Sequence, residues 1–151
     1  MWIMIYIASD HAGFELKNKL LEHLKNTGQV VEDCGPFSYD PDDDYPKFIY
    51  PCAEKVAANP GSLGVVIGSS GQGEAMVANK VKGIRAVEYY GGNEEIIVLA
   101  RKHNNANVLS LGAKFLTTEQ AERAVDLLLE TGFDAGRHQR RINEINQLED
   151  K

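Results

Sequence analysis

The feature that most constrains this chain is a regular alternation of short β-rich runs with longer amphipathic ones. Five runs read as strands: Ile3–Ser9, Val30–Cys34, Gly64–Ile67, Ile84–Val87 and Asn107–Ser110. Helices are expected over 13–26, 46–58, 72–81, 93–103, 118–130 and 137–148. In the first of these, Phe14, Leu16, Leu20, Leu21 and Leu24 form one apolar face at helical spacing. Thr117 or Thr118 ahead of Glu119, Gln120 and Ala121 is a capping signature, and Gly132 stops that helix. Nearly continuous apolar strands separated by helices belong to a parallel sheet covered on both faces. The expected fold is therefore α/β: a Rossmann-like three-layer α/β/α sandwich with a five-stranded parallel sheet and a C-terminal helical tail from about residue 133. One domain is expected over 1–151. The loop-rich segment Pro36–Tyr45, acidic through Asp40, Asp42, Asp43 and Asp44, fits a rim or lid.

Charge and composition narrow the function. A net charge of −6 argues against a nucleic-acid surface, which needs a basic patch. An anionic small molecule would need a local cationic cluster working against that field. No apolar run approaches the ~20 residues of a membrane span, and the opening stretch Met1–Ile7 is too short for a signal peptide. The expectation is a cytoplasmic protein. Cys34 and Cys52 match neither a disulfide framework nor a zinc pattern and read as reduced structural thiols.

Ligands of such folds gather outside the carboxyl ends of the strands. Those ends carry Ser9-Asp10-His11-Ala12-Gly13, Gly68-Ser69-Ser70-Gly71-Gln72-Gly73-Glu74, Glu88-Tyr89-Tyr90 and Leu111-Gly112-Ala113-Lys114. The glycines of the second group let backbone N–H groups approach a ligand, and Ser69 and Ser70 add hydroxyls. The result suits a phosphate or a developing enediolate oxygen. It is neither a P-loop, since Glu74-Ala75 stands where Lys-Ser/Thr belongs, nor a nucleophile elbow. Glu74 either complements the helix dipole or abstracts a proton. In the second role, neighbours such as Ala75 and Met76 would desolvate it and raise its pKa.

Three further groups have two readings each. Asp10 beside His11 fits acid–base chemistry or an N-cap. His103 before Asn104 and Asn105 fits a binding loop or a cation at a helix C-terminus. Arg137 and Arg141, four apart around His138, fit a phosphate grip or a solvated face. Gly132 and Gly136 would let that last segment leave its own domain and reach a partner. His23, inside the first helix, reads as a surface residue.

Together these pieces resemble the ribose-5-phosphate isomerase B family, which includes the galactose-6-phosphate isomerase subunits. Asp44-Tyr45-Pro46, Asn79-Lys80, Gly83-Ile84-Arg85-Ala86, His103-Asn104-Asn105-Ala106-Asn107-Val108 and Arg137-His138-Gln139-Arg140-Arg141-Ile142 carry the resemblance with the loops above, over nearly the whole chain. It implies an aldose–ketose isomerase for ribose 5-phosphate and ribulose 5-phosphate, needing no metal or cofactor. Some members place a cysteine base where this chain has Gly68. This chain is similar to the others, in which a glutamate on the next helix, here Glu74, moves the proton. The resemblance further implies that Ser70 and the Gly71–Gly73 amides hold the enediolate, with Ser69 beside them. Asp10 and His103 would assist ring opening, Tyr45 would line the sugar site, and Asn104 would bond a hydroxyl. Arg137 and Arg141 would grip the phosphate near His11 and His138. His103 and the arginines would come from a second subunit of a homodimer or dimer of dimers. Lys114 stands where an arginine commonly helps bind phosphate, and keeps the charge without the fork. A six-carbon substrate, galactose 6-phosphate or allose 6-phosphate, is the alternative within this chemistry. A nucleotide- or ligand-binding module, with Glu32 or Asp33 as its ribose acid, is the alternative outside it.

Overall fold

The structure, a computed structural model, describes residues 2–151; Met1, the first residue of the apolar opening stretch, lies outside them. Five strands, β1 (Met4–Ser9), β2 (Val30–Asp33), β3 (Leu63–Gly68), β4 (Ala86–Tyr89) and β5 (Val108–Gly112), form one sheet in the order β2-β1-β3-β5-β4. All four pairings are parallel. The helices are α1 (Phe14–Asn26), α2 (Pro46–Ala58), α3 (Gln72–Ala78), α4 (Glu95–Asn104), α5 (Thr118–Glu130) and α6 (Arg137–Glu149).

Side chains alternate across each strand, so two cores form. Ile5, Ile7, Val65, Ile67, Leu109 and Leu111 face one way, into the α1 leucines and α5. Tyr6, Ala8, Val66 and Val108 face the other, into α2 and the end of α3. This is the three-layer α/β/α arrangement expected. Thr117 makes the capping box that opens α5: its hydroxyl accepts the Gln120 N–H, and the Gln120 side chain accepts the Thr117 N–H.

Most element ends shift by one to three residues from expectation, and two of these shifts have a clear local cause. The fourth strand begins at Ala86, two residues late, because Gly83 adopts a positive φ and side-chain amides satisfy the backbone that follows it. Asn107 Oδ1 accepts the Arg85 N–H at 2.7 Å, and Asn79 bonds both the N–H and the carbonyl of Ala86. Ile84 is buried as an anchor just ahead of the strand. The third helix ends at Ala78 rather than 81, as Lys80 and Val81 form tighter turns onto Val77 and Ala78.

His23 is a bridge, not a free surface residue. Its Nε2 lies 2.8 Å from Asp126 Oδ1, linking α1 to α5. Within the chain, the C-terminal tail lies against its own domain. It packs on α4, buries Ile142, and is tied down by Glu149 to the Gly83 N–H and by Asp150 to Lys82.

Sheet connections diverge after β1 and β3, which lie side by side. Such a switch point leaves a crevice at the carboxyl ends of the strands. Asp10 and Gly68 stand on its two sides.

Candidate active site

Glu74 is the most unusual residue of this crevice. It sits in the first turn of α3, yet only 4% of it is exposed. Its side chain turns back onto the end of β3, where a Cβ on Gly68 would overlap the carboxyl group. Burial pushes its pKa up, its own backbone amide pulls the other way, and the charge of Asp10 adds to the rise. Met76 is exposed, so the expected apolar neighbour is not what desolvates it. The carboxyl lies against the backbone at Gly68, at the end of β3.

The loop around Glu74 is held open by close backbone contacts. Gly71 takes a left-handed φ of 82°, and the Ser110 hydroxyl donates to its carbonyl at 2.6 Å. Ser70 Oγ accepts the Gln72 N–H at 3.2 Å, Ser69 is exposed, and its carbonyl accepts the Lys114 N–H at 3.0 Å. Lys114 thus stands at the rim, with an exposed side chain. Tyr45 closes the other side. Its ring lies where a Cβ on Gly73 would be, with Cζ and the hydroxyl both at 2.8 Å.

Asp10 is not the N-cap of α1, which is Gly13, but it braces the turn ahead of that helix. Its Oδ1 accepts the Gly13 N–H at 3.0 Å, stabilising the turn into α1, while burial raises its pKa despite that bond. His11 stands beside it, its Nδ1 2.7 Å from Asp43 Oδ1. This contact raises the His11 pKa.

The remaining site residues lie elsewhere. His103 and Asn104 form the last turn of α4, next to the amino ends of β4 and β5. His103 stacks on His138 of α6 at 4.3 Å, with an interplanar angle of 11°. Burial and then the His103 charge depress the His138 pKa, and Arg137 and Arg141 add to this. Both arginines are exposed. This group and Glu74 are separated by the length of β5, about 13 Å from Val108 to Gly112 at ~3.3 Å per residue.

Sequence reasoning missed one pair of consequence. Lys17 is completely buried, and its ammonium bonds both carboxylate oxygens of Asp33 at 2.9 Å. Glu32 is paired with Lys55. The acids that could have held a nucleotide ribose are therefore already neutralised, which removes the support for that alternative. The only signal was a lysine on the leucine face of α1. Among the described residues, no three of the His, Cys, Asp and Glu side chains converge as a metal-binding group. Nor is any helix long and apolar enough to cross a membrane.

Comparison with known proteins decides the family. The ribose/galactose isomerase family profile matches residues 5–145. This chain belongs to the ribose/galactose isomerase family. Ribose-5-phosphate isomerase B of Mycobacterium leprae is 45% identical over 146 residues, covering 96% of this chain and 89% of that protein. The Escherichia coli K12 protein of that name is 36% identical over 150 residues, covering 97% of each. A crystal structure of ribose-5-phosphate isomerase B from Mycoplasma genitalium with bound ribulose-5-phosphate superposes with a TM-score of 0.94 at 44% identity, over 100% of this chain and 99% of that one. As a ribose/galactose isomerase, the chain makes sense of a buried carboxylate facing an amide-lined loop.

Proposed function

We propose that this protein interconverts ribose 5-phosphate and ribulose 5-phosphate through a cis-enediolate, with Glu74 as the base. Supporting the substrate is the named activity of the relatives above. The observation that carries the base is the Glu74 carboxyl: buried, raised in pKa, and turned onto Gly68. A general base works best when its pKa approaches the operating pH, and desolvation moves a carboxyl that way.

The chemistry follows from the arrangement. Ring opening, assisted by Asp10 and by His103 of a second copy, exposes the C1 aldehyde. Glu74 removes the C2 proton, and the electron pair moves to O1. The Gly71–Gly73 amides and Ser70, with Ser69 beside them, meet the charge that develops there. Glu74 returns the proton to C1 as the O2 proton is passed to O1, giving the ketose. Tyr45 walls the sugar, and Lys114 faces the rim.

A homodimer, or a dimer of dimers, completes the site. A base at the carboxyl ends of the strands and a phosphate grip at their amino ends cannot close on one pentose within one chain. A second copy would bring Asn104, Arg137, His138 and Arg141, from α4 and the tail of about 133–151, to the first copy's Glu74. One domain over 1–151 acting in the cytoplasm fits the two free thiols.

The test is turnover of ribose 5-phosphate in the presence of a chelator, beside a panel of five- and six-carbon sugar phosphates. Chelator-resistant activity highest on the pentose is expected. Highest turnover on a six-carbon phosphate would move the substrate, and no turnover on any would end the reading.

A further inference from the structure

Four aspartates make the segment between β2 and α2 acidic, but one of them behaves differently. Asp40, Asp42 and Asp44 are exposed, whereas the Asp43 side chain is 4% exposed. Its Oδ1 accepts the His11 backbone N–H at 3.1 Å and lies 2.7 Å from His11 Nδ1. Its Oδ2 is buried with no partner among the described residues. A desolvated carboxylate needs a facing cation, and the group in contact with it is His11. Tyr39 of the same loop meets the imidazole edge-on at 6.4 Å, so the ring is held on two sides.

We infer that Asp43 is a positioning residue of the isomerase: it fixes His11 as an imidazolium, with Nδ1–H donated to the carboxylate and Nε2–H left as a donor for the anionic group of the substrate. This rests on the proposed isomerase function and on the place near the phosphate that the family resemblance implies for His11. The same contact fastens the acidic loop, and with it the Tyr45 wall, to the end of β1. The loop is thereby a latched rim.

The other charged groups around His11 act in the same sense or lie further off. Asp10, its chain neighbour, and Asp40, on the loop, both favour the protonated ring, as the raised pKa reflects, and partial burial opposes them. Glu15, Lys19 and Glu22 of α1 line the cavity of about 480 Å³ beyond His11 and Tyr39.

The experiment is an NMR titration of the His11 ring in the full-length protein, with KM for ribose 5-phosphate measured against pH, in wild type, Asp43→Asn and His11→Ala. In wild type, KM rises at alkaline pH as His11 loses its proton. In Asp43→Asn, both the His11 titration and the rise in KM move to lower pH, and KM at pH 8 rises roughly fivefold with kcat held within about twofold. A purely structural Asp43 would lower the melting temperature and leave the pH midpoint in place. An unmoved His11 titration in Asp43→Asn, with His11→Ala still raising KM, overturns the inference alone. Unchanged KM in His11→Ala overturns the substrate contact as well. Asp43→Ser gives the same readout should the Asn variant fold poorly.

Discussion

The carboxyl of Glu74 fills the space that a side chain on Gly68 would occupy. Proposed base and glycine are therefore one device: the missing side chain at the end of β3 gives a carboxylate from α3 its place in the crevice. The obstruction that any substituent at Gly68 meets is the far end of a flexible side chain, so Glu74 would move aside while the sheet stays intact. Gly68→Ala should keep the melting temperature within a few degrees and lower kcat by about 10²-fold, the cost of a misplaced base. Glu74→Gln should lower kcat by about 10²–10⁴-fold with KM nearly unchanged. Steady-state kinetics beside thermal denaturation decide both, and near-normal turnover in the Gln variant removes Glu74 from the mechanism.

The raised pKa of Glu74 has a consequence for stability. Its ordinary value is 4.5, and its folded value lies higher because burial disfavours the charge. Between those two values the folded chain binds more protons than the unfolded one, so stability falls as pH rises through the window. Asp10, raised from 3.8, acts in the same sense. Glu74→Gln removes the buried charge, so the variant should melt above wild type at pH 7.5, with the gap closing toward pH 4. Equal melting temperatures at both pH values would contradict the desolvation account. With Glu74 as the proposed base, acting ionised, the same shift should place the acid limb of kcat/KM above the usual glutamate range, which a pH–rate profile checks.

The sheet, its helices and the crevice were legible because period and punctuation are local properties. Apolar runs, the Thr117–Gln120 cap and the Gly68–Glu74 loop announce themselves within a few residues. What could not be read is what depends on contacts across the chain. His11 and Asp43 are 32 residues apart, so Asp43 was indistinguishable from its three exposed neighbours. The start of β4 was misplaced because Asn79 and Asn107, not a strand partner, satisfy the backbone at Arg85 and Ala86. His23 was misread for the same reason, its partner Asp126 lying on a distant helix.

Lys17 offers a test of the fold apart from catalysis. Its ammonium is fully buried, pairs with Asp33, which is itself 25% exposed, and lies 5.4 Å over the Phe14 ring. Removing one partner of such a pair leaves an uncompensated charge and costs about 3 kcal/mol, whereas replacing both costs little. Lys17→Met keeps most of the packing and should lose that amount in urea denaturation. Adding Asp33→Asn should restore most of it. If the double variant is as unstable as the single, packing of the lysine stem and not charge is what matters.

His103, Arg137 and Arg141 stand at the opposite end of the strands from Glu74, so the proposed sharing of a site between two copies has a stoichiometric signature. Arg137→Ala should raise KM with kcat little changed, since its proposed phosphate contact is remote from the reacting carbons. Glu74→Gln and His103→Ala should each be nearly inactive alone. Mixed, dissociated and reassociated, they form hybrids in which one site joins an intact Glu74 from one copy to an intact His103 from the other. The second site of each hybrid carries both lesions. Random pairing makes half of all dimers hybrids, so activity should return to about one quarter of wild type. A site built from one chain predicts no recovery at all, because every intact Glu74 would remain in a chain that has lost His103. Recovery measured against the mixing ratio, with its maximum at equal amounts, therefore separates a shared site from a private one.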